Sequence, residues 1–342
     1  MEPLSRSRIL GRVLVLVILI GLAGGALFAL KKWENKRDGG NATEEVTLQE
    51  EKKMIRYKNQ WYELRDNIET VLVIGLDKFS SQVERNSYNN DQRADFMLLL
   101  MVDKDNKIIN AIHINRDTMA EIQVLGVAGQ VVDTTHAQLA LSYNYGSGGH
   151  DSCRNTVKAV STYLYDLPID YYVSVTMDAV SELNDLVEGV TITVMDDFSA
   201  LYPEMVQGAE VTLTGEQALS YVRARTSLED KTNMHRMERQ RQYINALYNK
   251  IKQYAASSDD FALEVMTQLS AHMITNYSVS SLQQLSKYLM DFELLPVSAI
   301  EGEATAGEEF MEFYPDEDAL KEMLVNTFYI PSEEKNSAES PS

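Results

Sequence analysis

From about residue 67 to residue 331 the chain alternates short apolar runs with stretches in which apolar residues recur every three or four positions. The runs Thr70–Leu76 (TVLVIGL), Phe96–Val102 (FMLLLMV) and Ile108–Ile114 (IINAIHI) are continuously apolar or β-branched, the pattern of strands covered on both faces. KDNK between the second and third run is a turn signal, so those two are expected to form a hairpin. RNTVKAVSTYLYDL repeats Val157, Val160 and Leu164 at helical spacing. A strand at YYVSVTM, a helix from near Asp178 and a strand at GVTITVM follow. Thr214 and Gln217 have the capping-box spacing ahead of Ala218, Leu219 and Val222. A last long helix, starting near Met234, sets Met237, Ile244, Leu247, Tyr248 and Ile251 on one side. Strands alternating with helices predict an α/β sandwich, its sheet mixed because of the hairpin.

The ends of the chain read differently. Val13–Leu30 (VLVLVILIGLAGGALFAL) carries no charge and is close to the ~20 residues a helix needs to cross a bilayer. It predicts a transmembrane anchor rather than a cleaved signal, because the apolar run continues to Leu30 before Lys31 and Lys32 stop it. Basic residues flank it on both sides, so they do not set its orientation; its place near the N-terminus puts residues 1–12 in the cytoplasm and the rest outside. Residues 31–66 lack an apolar period and are expected to be a stalk, residues 67–331 one domain, and residues 332–342 a disordered tail. Cys153 is the single cysteine, so no intramolecular disulfide forms, and no zinc-ligand spacing occurs among the five histidines.

Composition sharpens one question. The net charge is -20, which opposes nucleic-acid binding, yet Tyr221–Gln242 holds Arg223, Arg225, Arg236, Arg239 and Arg241. Any one of these suits a solvated helix position, but several guanidinium groups together match the oxygens of an anionic ligand. Asp77 ends the first apolar strand and Asp95 begins the second, so neighbouring strands can bring both carboxylates to one sheet edge. Arg93 stands two residues before Asp95, and Arg116 and Asp117 follow the third strand in NRDT. Two aspartates suit Mg²⁺, which takes one or two carboxylates and completes its shell with water and phosphate oxygens. GSGGHDS lacks the lysine and the strand of a phosphate-binding loop and is expected to be a turn.

LVIGLD, QRADFMLLLMVD, INRDTM, LTGEQALSYVRAR and HRMERQRQYI, in this order behind one apolar segment, resemble the LytR-CpsA-Psr family. The match spans roughly residues 67–251, and YPDEDALKEML fits the end of such domains. The resemblance implies a central sheet between helix layers, an α-β-α sandwich, with an apolar pocket for a polyprenyl chain and a charged mouth for its pyrophosphate. It implies a bacterial cell-surface transferase that moves an anionic glycopolymer, such as teichoic acid or capsular polysaccharide, from its polyprenyl pyrophosphate carrier to peptidoglycan. Carried over by motif, Asp77 and Asp95 match the aspartates that hold Mg²⁺. Arg93, Arg116, Arg223, Arg225, Arg236 and Gln240 match the pyrophosphate-binding positions, and Arg239 and Arg241 have weaker claims.

Asp95 or Asp117 is expected to receive the proton of the attacking hydroxyl. Two departures fall near the site: Asn115 stands where the family commonly has proline, and KTNMH, with Asn233, replaces an acidic stretch. A pyrophosphate hydrolase would use the same residues, and a non-catalytic glycan receptor at the membrane is a third reading.

Overall fold

A computed structural model of the chain describes residues 53–76, 92–224, 234–255, 269, 272–308, 310–333 and 335. The apolar run 13–30, most of the expected stalk, Asp77, Arg225 and Asn233 lie outside the described residues. Among the described residues no helix is long and apolar enough to cross a membrane.

Along the chain the strands are β1 (Met54–Tyr57), β2 (Gln60–Leu64), β3 (Ile68–Leu76), β4 (Ala94–Asp103), β5 (Ile108–Ile114), β6 (Met119–Leu125), β7 (Val131–Gln138) and β8 (Tyr171–Thr176). They continue as β9 (Val190–Thr193), β10 (Glu210–Leu213), β11 (Met273–Thr275), β12 (Glu293–Leu294), β13 (Ser298–Ala299), β14 (Gly302–Ala306), β15 (Met311–Pro315) and β16 (Tyr329–Pro331). The described α-helices are α1 (Gly149–Tyr163), α2 (Asp178–Leu186), α3 (Gly215–Arg223), α4 (Met234–Ala255), α5 (Val279–Asp291) and α6 (Glu317–Phe328). A seven-stranded sheet in the order β11-β8-β3-β4-β5-β12, with β13 also on β5, forms the centre. It is mixed: β3 runs parallel to β8 and antiparallel to β4, and β4 and β5 are the expected hairpin.

Alternation along the central strands supplies two cores. Val71 and Val73 of β3 face a core that takes in Leu183 of α2, Tyr221 of α3, Ile244 and Leu247 of α4 and Leu285 of α5. Leu72, Ile74 and Leu76 face the opposite core, with Cys153 and Val160 of α1 and Leu324 and Phe328 of α6. Each fully buried aliphatic side chain contributes roughly 1.5–3 kcal/mol, so a strand with both faces dry is the stable centre of the molecule. Helices on both sides make the sandwich of three layers.

Several boundaries differ from the sequence reading. The expected stalk ends earlier, because β1 and β2 pair with each other and β2 pairs with β16 in a separate three-stranded sheet; every residue of β2 is half-buried, which leaves no apolar period to read. Ser332, expected to open the tail, is buried and donates its backbone N–H to the Trp61 carbonyl at 2.9 Å. GSGGHDS is turn only to Gly148; Gly148 at φ 105° is open to a glycine, and α1 starts at the next residue. β9 pairs with β10 outside the central sheet.

Candidate active site

The site is made where β4 and β5 run out. Gly75 pairs with Phe96 but Leu76 pairs with Ala94, so Asp95 is the extra residue of a β-bulge. A bulge bends the strand and re-aims the side chain at its position. Met97 pairs with Ile114 on the other side, and continuing that register sets Arg116 opposite Asp95.

Beyond β5 the chain turns on Asn115, whose side-chain oxygen accepts from the Asp117 backbone N–H at 3.0 Å while its carbonyl accepts from the Thr118 hydroxyl at 2.7 Å. This is an Asx-type turn, for which asparagine is well suited. It gives a local reason for Asn115 at a position where the resemblance suggested proline. The turn buries Arg116 at 5% exposure and Asp117 at 8%. Arg116 is ion-paired through one terminal nitrogen with Asp95, and its Nε lies 3.2 Å from Asp117 Oδ1.

The opposite wall comes from helices. The expected capping box is present at α3: the Thr214 hydroxyl oxygen accepts from the Gln217 backbone N–H, and Gln217 Oε1 accepts from the Thr214 backbone N–H. Arg223, in the last turn of α3, and Arg236 and Gln240, four apart at the start of α4, line a cavity of about 210 Å³ together with Asp95, Arg116, Met177 and Val222. Met237, Ile244 and Ile251 of α4 point into the core as the periodicity predicted.

Arg239 belongs to the protein rather than to the cavity. It is 1% exposed, pairs with Asp196, donates from Nε to the Tyr221 carbonyl at 3.0 Å and also to the Ala224 carbonyl. Gln240 Nε2 donates to the Val222 carbonyl at 3.1 Å. Two side chains of α4 thus take up the carbonyls that α3 leaves open at its C-terminus, around Arg223.

A second cavity lies against the first. It is walled by Gly75, Phe96, Val175, Thr176, Ala179, Val180, Leu183, Tyr243, Ile244 and Leu247, and shares Met177, Val222 and Gln240 with the polar one. Its volume is about 60 Å³ and its exposed lining is apolar. Gly75 is required by close approach: a Cβ there would stand 2.8 Å from Phe96 Cβ. Beneath Phe96 lies His113, 1% exposed, its ring 4.7 Å from the phenyl ring. Burial, with the positive charges of Arg241 and Arg236, pushes this imidazole down to about 3.

Of the residues expected from sequence, Asp95, Arg116, Arg223, Arg236 and Gln240 come together on one cavity. Asp117 stands behind Arg116 and does not line it, and Arg93 is exposed and does not line it either. Met177 and Val222 at the junction went unrecognised because a methionine after a strand and a valine in a helix look like ordinary core. Gln138, described below, carried no motif at all.

The sequence profile of the LytR_cpsA_psr family matches residues 33–327. The chain belongs to the LytR-CpsA-Psr family. Among its relatives in this family, TagV of Bacillus subtilis (strain 168), named a polyisoprenyl-teichoic acid–peptidoglycan teichoic acid transferase, is 26% identical over 284 residues, 80% of this chain and 64% of TagV. TagU of Halalkalibacterium halodurans, which carries the same functional name, is 30% identical over 164 residues, 48% of this chain and 49% of TagU. The chain therefore matches about half to just under two thirds of the length of these relatives. A protein of Streptococcus agalactiae shares the fold, with a TM-score of 0.61 at 21% identity over 80% of this chain and 96% of its own.

Proposed function

We propose that this LytR-CpsA-Psr protein transfers an anionic glycopolymer from a polyprenyl pyrophosphate carrier to a sugar hydroxyl of peptidoglycan, at the outer face of a bacterial membrane to which residues 13–30 anchor it. One observation carries the reading: a cavity lined by arginines and an aspartate lies against an apolar pocket, the two sharing Met177, Val222 and Gln240 in their walls. A lipid pyrophosphate has the same two halves. The functional names of TagV and TagU support it.

The chemistry follows from charge. The acceptor oxygen attacks the phosphorus that carries the glycopolymer, the bond from that phosphorus to the bridging oxygen breaks, and polyprenyl phosphate leaves with the electron pair. Negative charge grows on the leaving phosphate, and Arg116, Arg223 and Arg236 stand around the cavity to offset it. The hydroxyl proton passes to Asp95, which among the described residues is the one carboxylate on the cavity wall; both aspartates pair with Arg116, but Asp117 does not line the cavity. The oxygen donors of Asp95, with Asp77 from the segment after β3, suit Mg²⁺, which when bound would neutralise phosphate charge and orient its oxygens. Arg225, in the segment after α3, would add to the same grip.

The reading is tested with the full-length protein in detergent, a polyprenyl pyrophosphate oligosaccharide, Mg²⁺ and peptidoglycan fragments. Both the phosphodiester product and the released polyprenyl phosphate are followed. Product that disappears with Arg116→Ala and Asp95→Ala establishes the transferase. Lipid phosphate released without glycan linkage would make the protein a hydrolase, and binding without turnover a receptor.

A further inference from the structure

We propose that Gln138 is a positioning residue for Arg116, and that through it the β14–β15 hairpin near the C-terminus sets the angle of that guanidinium in the cavity. Gln138 is the last residue of β7 and is 3% exposed. Its amide nitrogen donates to Asp117 Oδ1 at 3.0 Å and to the Met311 carbonyl of β15 at 2.7 Å. The same Asp117 oxygen accepts from Arg116 Nε at 3.2 Å.

A guanidinium is planar, so contacts at two of its nitrogens fix the plane and the direction of the remaining N–H groups. Arg116 has these contacts: Nε on Asp117 and a terminal nitrogen on Asp95. Asp117 can hold Nε steadily only if its own carboxylate cannot turn, and Gln138 supplies the second donor on that oxygen. The hairpin closes the set, since Phe313 N donates to the Asp117 carbonyl at 2.9 Å and Phe313 bridges Thr118. A neutral amide suits the place. It offers two donors, where a carboxylate at that distance from Asp117 would bring two negative charges together.

The consequence for catalysis rests on the function proposed above, while the positioning itself can be read without it. The variants are Gln138→Met, which keeps the length and loses both donors, and Gln138→Glu. In Gln138→Glu the introduced carboxyl stands beside Asp117, which favours its protonated form; protonated at low pH it can donate to Asp117 again, and charged at high pH it cannot. Full-length protein in detergent is titrated with farnesyl pyrophosphate at both pH values, and each variant's affinity is taken as a ratio to the unmodified protein at the same pH. Gln138→Glu is expected to be weakened about tenfold at pH 8 and to return to within about twofold at pH 5.5, with Gln138→Met weakened at both.

A ratio for Gln138→Glu that stays constant with pH, or stays at one, overturns the proposal. If the unmodified protein binds no prenyl pyrophosphate, the functional reading is what fails. The Arg116 Nε–H resonance then decides: faster exchange in Gln138→Met at unchanged Tm supports positioning, and equal exchange overturns it.

Discussion

The two adjacent cavities share three residues and are kept in shape by different means. In the polar one Arg116 and the end of α3 are held by other polar groups. Arg116 lies between Asp95 and Asp117, Asp117 is held by Gln138, and the carbonyls around Arg223 are taken up by Arg239 and Gln240. The apolar pocket is shaped mainly by packing: side chains of β4, β8, α2, α3 and α4 meet around it against Gly75 of β3, with Thr176, Tyr243 and Gln240 the hydrogen-bonded members of its wall. The polar half is therefore preorganised for a ligand of fixed geometry, as transition-state stabilisation requires, while the apolar half adjusts by repacking and suits a ligand whose length matters more than its shape.

The sharpest way to break this contrast is to remove a fastened charge. Arg116→Ala is expected to lower kcat/KM about 10²-fold, close to 2.7 kcal/mol, with the fold intact by circular dichroism. A loss of less than about threefold would mean that the polar cavity is not where the chemistry occurs.

The seam between the halves answers to pH. His113 underlies Phe96 of the apolar pocket and feels Arg236 of the polar one. Its folded pKa is lowered to about 3, whereas an unfolded imidazole takes up its proton near ~6.5. Stability is thus fully present above that higher value and is lost as pH falls toward the lower one. Between pH 7 and pH 5 the loss from this group is about 2 kcal/mol. Urea unfolding at the two pH values measures it, and His113→Phe should remove most of the difference.

Shape alone is tested at Gly75. Gly75→Ala forces a shift against Phe96 and should raise KM roughly tenfold, about 1.4 kcal/mol, for a long-chain carrier. Inorganic pyrophosphate affinity should not change. Equal effects on both ligands would show that the two cavities respond as one.

The smallest expected effect is remote. Thr214→Ala removes the cap that starts α3 and should cost ~1 kcal/mol of stability with little change in rate, read from Tm and kcat side by side.

How much of this was legible in the sequence depended on whether a residue's environment repeats along the chain. β3, β4, β5 and β8 are dry on both faces, so their apolar runs announced them. β7 is mostly exposed, and β14 and β15 carry charged and half-buried positions, so these hairpins left no period to find. The cap at Thr214 and the inward face of α4 follow from local spacing and were readable. What brings the site together is not local. The role of Arg239 depends on Asp196 and on carbonyls of α3, and nothing in HRMERQRQ separates it from the arginines that line the cavity. Gln138 acts on a residue 21 positions away and on another 173 away.

The bulge at Asp95 makes the site sensitive to chain length as well as to residue identity. Phe96 belongs to one core and Ala94 to the other, although in an unbroken strand residues two apart share a face. Deleting Asp95 would let β4 pair with β3 without interruption, Phe96 still opposite Gly75 and Ala94 opposite Leu76, and would take from the cavity wall its one carboxylate among the described residues. Evolution can therefore exchange side chains along β4 for others of similar volume, but dropping the residue between Ala94 and Phe96 would remove the bulge and the aspartate together.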